Sequence, residues 1–201
     1  MNVIDGLPAH ILLVHAIVVL VPLTALVLVL SVFRPTLRRR FAGANALLSV
    51  GVLALTPITT SAGEWLQERV GSTAVVLEHT QLGNTALYVT APLALMALVV
   101  WWRGRESDAV EVAEIERLTA SGPVAGAGGT ATLARPVAAR RTFLAPTMRA
   151  VGIVVTVLAV LASAAAVYDV YLIGASGAKA SWQDSFSSTP LPGAGGGRVG
   201  G

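Results

Sequence analysis

The histidines of this chain are the side chains whose type and spacing could bind a metal: His10, His15 and His79. Two of them stand in HILLVHAIVVL, residues 10–20, at the head of a run oily enough to cross a bilayer. Neutral imidazole is a good ligand for iron, zinc and copper. His10 and His15 are five residues apart, so on a helix they point about 140° apart, with His15 about 7.5 Å deeper. One helix face therefore cannot easily offer both to a single ion. That argues against a compact three-histidine zinc site unless the helix unwinds near Pro8. A larger prosthetic group suits the pattern better. A b-type haem held between helices takes one imidazole from each of two helices, on opposite faces of the iron. We expect His15 and His79 as the iron ligands. His10, nearer water, would hydrogen-bond a propionate or take the place of His15.

The elements that must position these side chains are set by hydropathy. The chain has 201 residues, is 54% hydrophobic and only 12% charged, and its mean hydropathy is +0.72. A soluble domain carries about 25% charged residues. Four segments are long enough to span a hydrocarbon core: about Pro8–Phe33, Phe41–Thr60, His79–Trp102 and Pro146–Ile173. At 1.5 Å per residue each covers roughly 30 to 40 Å as helix. The expected fold is all-α, an integral membrane four-helix bundle in the lipid bilayer. Residues 1–102 form helices one to three, and residues 103–145 form a cytoplasmic loop. Residues 146–182 hold helix four and its outer flank, and 183–201 are a disordered tail. Within the loop, 106–120 reads as a short soluble helix, and 121–141, small and Pro/Gly-rich, reads as a flexible linker.

Charge sets the orientation. Lys and Arg number four in 34–40 and seven in 103–149, against one in 61–78 and two in the C-terminal stretch. By the positive-inside rule both termini lie outside, in a multi-pass protein of the cell (plasma) membrane. The first segment is not read as a cleaved signal, because its leading flank has no Lys or Arg and RPTLRRR follows it. Alternation of direction then brings His10, His15 and His79 to one level on the outer half, with the polar TPITTSAGEW end of segment two. Gln81, Asn84, Tyr168 and Asp169 reach the same half. Pro22, Pro57 and Pro92 should kink segments one to three, with Thr24, Thr56, Thr59 and Thr90 satisfying the freed carbonyls. Ala159/Ser163, Ala162/Ala166 and Ala42/Ala46 offer close helix contacts.

Each functional reading has a plainer one beside it. His10 and His79 at headgroup level are cheap interfacial residues; His15, deeper, is the stronger candidate, since intramembrane ionisable groups are functional by default. Glu64, Glu68 and Glu78 read as a solvated loop face, and Asp169 as a snorkelling or locally hydrogen-bonded side chain. The chain has no cysteine, which excludes disulfides, thiolate ligands, iron–sulfur clusters and covalent haem attachment. No Walker loop, dinucleotide fingerprint, HExxH or nucleophile elbow occurs. The positive charge is an orientation signal, not a nucleic-acid one.

Four stretches in this order, GLPAHILLVHAIVVLVPL, SAGEWLQERV, EHTQLG and VYLIGASGAKASW, resemble a bacterial membrane-protein family, domain of unknown function 2231, in its high-GC Gram-positive form. The resemblance covers about residues 4–182 without 103–145. It implies a four-helix membrane protein in which His10 and His15 match the His-x4-His start of helix one. It matches His79 to the histidine that opens the third helix, and Gly63-Glu64-Trp65 to the loop before it. Its layout is similar to that of membrane cytochromes b, which implies haem b and a redox partner or membrane-complex subunit as neighbour. The position of Ala175, often polar in similar sequences, is alanine here. The leading expectation is thus an electron carrier, more a binding protein than an enzyme. Its rivals are a non-enzymatic membrane scaffold or assembly protein, and an outer-face Zn or Cu site from His10, His79 and Glu64.

Overall fold

The computed structural model describes residues 3–120, 142–144 and 147–183. The expected linker, 121–141, and nearly all of the expected tail lie outside the described residues. A two-stranded hairpin, β1 (Val3–Ile4) and β2 (Leu7–Pro8), leads into α1 (Ala9–Phe33). Then come α2 (Pro35–Gln67), α3 (Ala74–Gly83), α4 (Ala86–Ala120) and α5 (Arg149–Trp182). The hairpin turns on Asp5 and Gly6, both at positive φ, the backbone that a two-residue turn of twisted strands requires and that Asp-Gly supplies. Four stretches are long and apolar enough to cross a membrane: Ala9–Phe33, Pro35–Gln67, Ala74–Thr119 and Arg149–Trp182. In the bundle α1 and α4 each pack against both α2 and α5, and α3 packs mainly on α5.

Several boundaries differ from expectation. RPTLRRR is not a loop: only Arg34 is extended, and Pro35 opens α2 at its first position. Proline forces the preceding residue out of helix and is itself preset for the first turn. The third span begins earlier, at Ala74, where the Thr73 side chain caps the N–H of Val76, and it is interrupted at Asn84–Thr85. Residues 106–120 are not a separate helix but the continuation of α4. The last helix starts at Arg149 and runs through Gly174 and Gly177 to Trp182.

The packing differs from that of a water-soluble bundle. Thr24, Ser31, Asn45, Ser49, Thr56, Thr90 and Ser163 are all buried, whereas Leu26, Leu47, Leu95 and Leu161 are more than half exposed. Small and hydroxyl-bearing residues inside, with leucine outside, suit a bilayer, where close approach and interhelical hydrogen bonds replace the hydrophobic effect. Ala42, Ala46, Ala159, Ser163 and Ala166 are buried as the small-residue spacing suggested. Ser163 donates to the Ala25 carbonyl of α1 at 3.4 Å, and Asn45 donates to that of Thr24 at 3.2 Å. Around them Val21, Leu28, Val52 and Leu93 fill the centre. The threonines near the prolines do hydrogen-bond backward, but Thr24, Thr56, Thr59 and Thr90 reach Val21, Val52, Leu55 and Ala86. Those are their own preceding turns; the carbonyls deprived of a donor by Pro22, Pro57 and Pro92 are those of Val18, Leu53 and Tyr88.

Candidate functional site: a two-histidine cluster at one end of the bundle

His10 leaves the first turn of α1 toward α2. Its Nδ1 lies 3.0 Å from the Thr59 carbonyl. A carbonyl only accepts, so this nitrogen carries the proton. The ring rests where Gly63 has no side chain: a Cβ there would be 2.8 Å from His10 Cε1 and 2.9 Å from Nδ1. Thus the helical Gly63 has a specific use, which is to let an imidazole reach the backbone of α2.

His79 repeats the device on α5. Its Nδ1 is 3.0 Å from Ser176 Oγ, and that hydroxyl donates to the Ile173 carbonyl at 2.9 Å. With the serine proton spent on Ile173, Ser176 accepts from His79, so Nδ1 again carries the proton. A Cβ on Gly177 would sit 3.0 Å from His79 Cε1. The two imidazoles meet edge to face, ring centres 6.2 Å apart and planes at 73°. Both are half-buried. Each therefore has its Nδ1 proton held by the protein, and neither Nε2 makes a hydrogen bond among the described residues. Tying one ring nitrogen so that the other presents a lone pair is how ligand histidines are oriented.

His15 stands apart from this cluster. It is exposed, and its Nδ1 lies 2.6 Å from the Ile11 carbonyl of its own helix. The expected pairing of His15 with His79 is therefore not the one that the bundle makes; His10 takes that place. The 140° divergence along α1 allows only one of the two to face inward, and the close contact with Gly63 favours His10. The proposed Zn or Cu site fails for a different reason. Glu64 is exposed, and among the described residues no three of His, Asp and Glu converge on a point that could hold a metal ion. Gln81, Asn84 and Tyr168 are likewise exposed.

Asp169 is a second polar feature of this half. It is half-buried on α5, and its Oδ1 accepts from the Thr85 hydroxyl at 2.6 Å. Its Oδ2 is inaccessible and has no hydrogen-bond partner. Thr85 lies in the break between α3 and α4, so the interruption of the third span is where this span reaches the carboxylate.

Thr59, Gly63, Ser176 and Gly177 surround the two rings; sequence reasoning named Thr59 only as a partner for carbonyls freed by proline and Gly63 only through the resemblance, and it missed Ser176 and Gly177. The available signal is a glycine within each of two helices, Gly63 of GEW and Gly177 of GASG. A polar group is supplied one residue beyond Ala175, by Ser176. Comparison with protein families, with curated proteins and with solved structures found no match.

Proposed function

We propose that this multi-pass protein holds a b-type haem at its histidine end, with His10 and His79 as the two protein ligands, and carries electrons there. The observation that supports the reading is the pair of imidazoles from two spans, each held through Nδ1 and without a hydrogen bond at Nε2 among the described residues. Ligand count favours haem over zinc: a porphyrin supplies four donors, so two imidazoles complete the iron, whereas a zinc site needs about three or four protein ligands. Bound haem would supply one-electron redox chemistry. The chain's own residues orient the ligands: Thr59 and Ser176 fix both tautomers, while Gly63 and Gly177 back both rings.

The resemblance to domain of unknown function 2231 supports the same reading, and by the charge asymmetry the histidine end would face outward. The partner would then be an extracytoplasmic redox protein or a subunit of a membrane complex. The experiment is an absorption spectrum of the detergent-extracted protein, oxidised and then reduced, from haem-sufficient cells. A colourless protein overturns the proposal. A second reading, a scaffold subunit, is favoured by one observation: the extension of α4 beyond Trp102 leaves Val112, Ile115 and Leu118 more than half exposed. If that reading holds, deletion of the extension abolishes function and substitution of His10 or His79 does not.

A further inference from the structure

At the opposite end, a cavity of about 410 Å³ opens between the end of α1, the middle of α4 and the start of α5. Its polar wall is Arg38, Arg103, Arg149 and Ser107, and its apolar wall includes Phe33, Val100 and Ile153. No carboxylate of the described residues lines it. The acids around it are committed elsewhere. Asp108 and Glu111 pair with Arg39. Glu106 attracts Arg103, but its oxygens accept from the N–H groups of Phe143 and Leu144 and from the Trp102 indole. Among the described residues no carboxylate pairs with Arg38 or Arg149 on this wall.

The wall is also a built one. Arg103 is held in place, donating to the Leu144 and Met148 carbonyls at 2.6 and 3.2 Å. Glycines make room for two of the guanidinium groups: a Cβ on Gly104 would be 3.3 Å from Arg38 Nε, and one on Gly152 would be 3.3 Å from an Arg103 terminal nitrogen. Arg38 Nε is sealed from solvent and has no hydrogen-bond partner, a costly state for a charged donor. Phe33 and Ile153, by contrast, are about 60% exposed at 62% and 60%, facing the region where acyl chains would lie.

We propose that this cavity binds an anionic phospholipid. Its headgroup phosphate meets Arg38, Arg103 and Arg149, and its acyl chains lie along Phe33 and Ile153. Arginine forks match phosphate geometry, and basic pockets between spans on the cytoplasmic side recognise acidic headgroups. The apolar half of the lining favours a lipid over free phosphate. The proposal is independent of the histidine cluster at the other end.

The test is native mass spectrometry of the full-length protein in detergent, titrated in parallel with phosphatidylglycerol, phosphatidylcholine and inorganic phosphate. Phosphatidylglycerol should bind about tenfold more tightly than phosphatidylcholine, and millimolar phosphate should not displace it. An Arg38→Gln/Arg149→Gln variant should lose about tenfold or more in phosphatidylglycerol affinity. Arg40→Gln, which removes one positive charge outside this cavity and leaves Asp108 and Glu111 paired with Arg39, should lose none. If the double variant does not fold by circular dichroism, Arg149→Gln alone, at an exposed position in the first turn of α5, gives the same comparison. Equal affinity for the two lipids, an unchanged affinity in the folded variant, or full displacement by phosphate would each overturn the proposal.

Discussion

His10 and His79 face one another edge to face with ring centres 6.2 Å apart, each braced against a glycine of a different neighbouring helix. The glycines make this relationship testable. Gly63→Ala puts a methyl group 2.8 Å from the His10 ring, so ring or helix must move. Haem retained after purification should fall by about tenfold or more, since loss of a group that orients a ligand typically costs 10- to 100-fold. Gly177→Ala, with its contact at 3.0 Å, should have the milder effect. Gly174→Ala meets nothing within 4 Å and should leave haem content unchanged while stabilising the helix by about 0.5–1 kcal/mol. Equal haem content in all three proteins would refute the bracing role.

The Thr85–Asp169 bond ties the break in the third span to α5. Thr85→Val should destabilise the bundle by about 1–3 kcal/mol, because it leaves a half-buried carboxylate without its donor. Asp169→Asn keeps an acceptor for Thr85 and removes the charge near the unpartnered Oδ2, so it should melt at or above the wild-type temperature. Thermal unfolding in detergent measures both. A loss for Asp169→Asn as large as for Thr85→Val would mean that the charge itself is required.

Asn45 donates across the core to the Thr24 carbonyl. Interhelical hydrogen bonds between membrane helices average about 0.6 kcal/mol and reach about 1.7. Asn45→Ala should therefore cost about 1–2 kcal/mol once the lost packing is included. Unfolding titrations in mixed detergent would read the difference. No change at all would show that the bond contributes nothing to association of α1 and α2.

The absence of cysteine from the chain makes orientation directly measurable. In intact cells, an impermeant maleimide should label Gly71→Cys, between α2 and α3, and should spare Ser107→Cys until the membrane is opened. The opposite pattern would invert the assignment of the histidine end to the outer face.

The spans themselves were legible because hydropathy alone defines them: four apolar runs became four membrane-length helices. The inward face was not legible. A helix that is oily all round has no polar side to orient it, so the sequence offered His10 and His15 on equal terms and His15, being deeper, looked the better ligand. What decides between them is a backbone contact with Gly63, which no side-chain pattern announces. The same holds at His79, whose partner is Ser176 on a helix far away in sequence. The boundaries at Arg34, Thr73 and Asn84 turned on proline and capping chemistry within stretches read for charge and oiliness alone. The Asp5-Gly6 pair, by contrast, is a legible hairpin-turn signal.

The central claim is that His10 and His79, not His15, form the cofactor pair. Reduced-minus-oxidised absorption spectra of the purified wild type and of His10→Ala, His79→Ala and His15→Ala, at matched protein concentration, test it most directly. The account predicts a Soret band and reduced-haem bands in the wild type and in His15→Ala, with loss of about tenfold or more in each of the other two. A wild type without haem, or a band that disappears in His15→Ala and survives in His10→Ala, would contradict it.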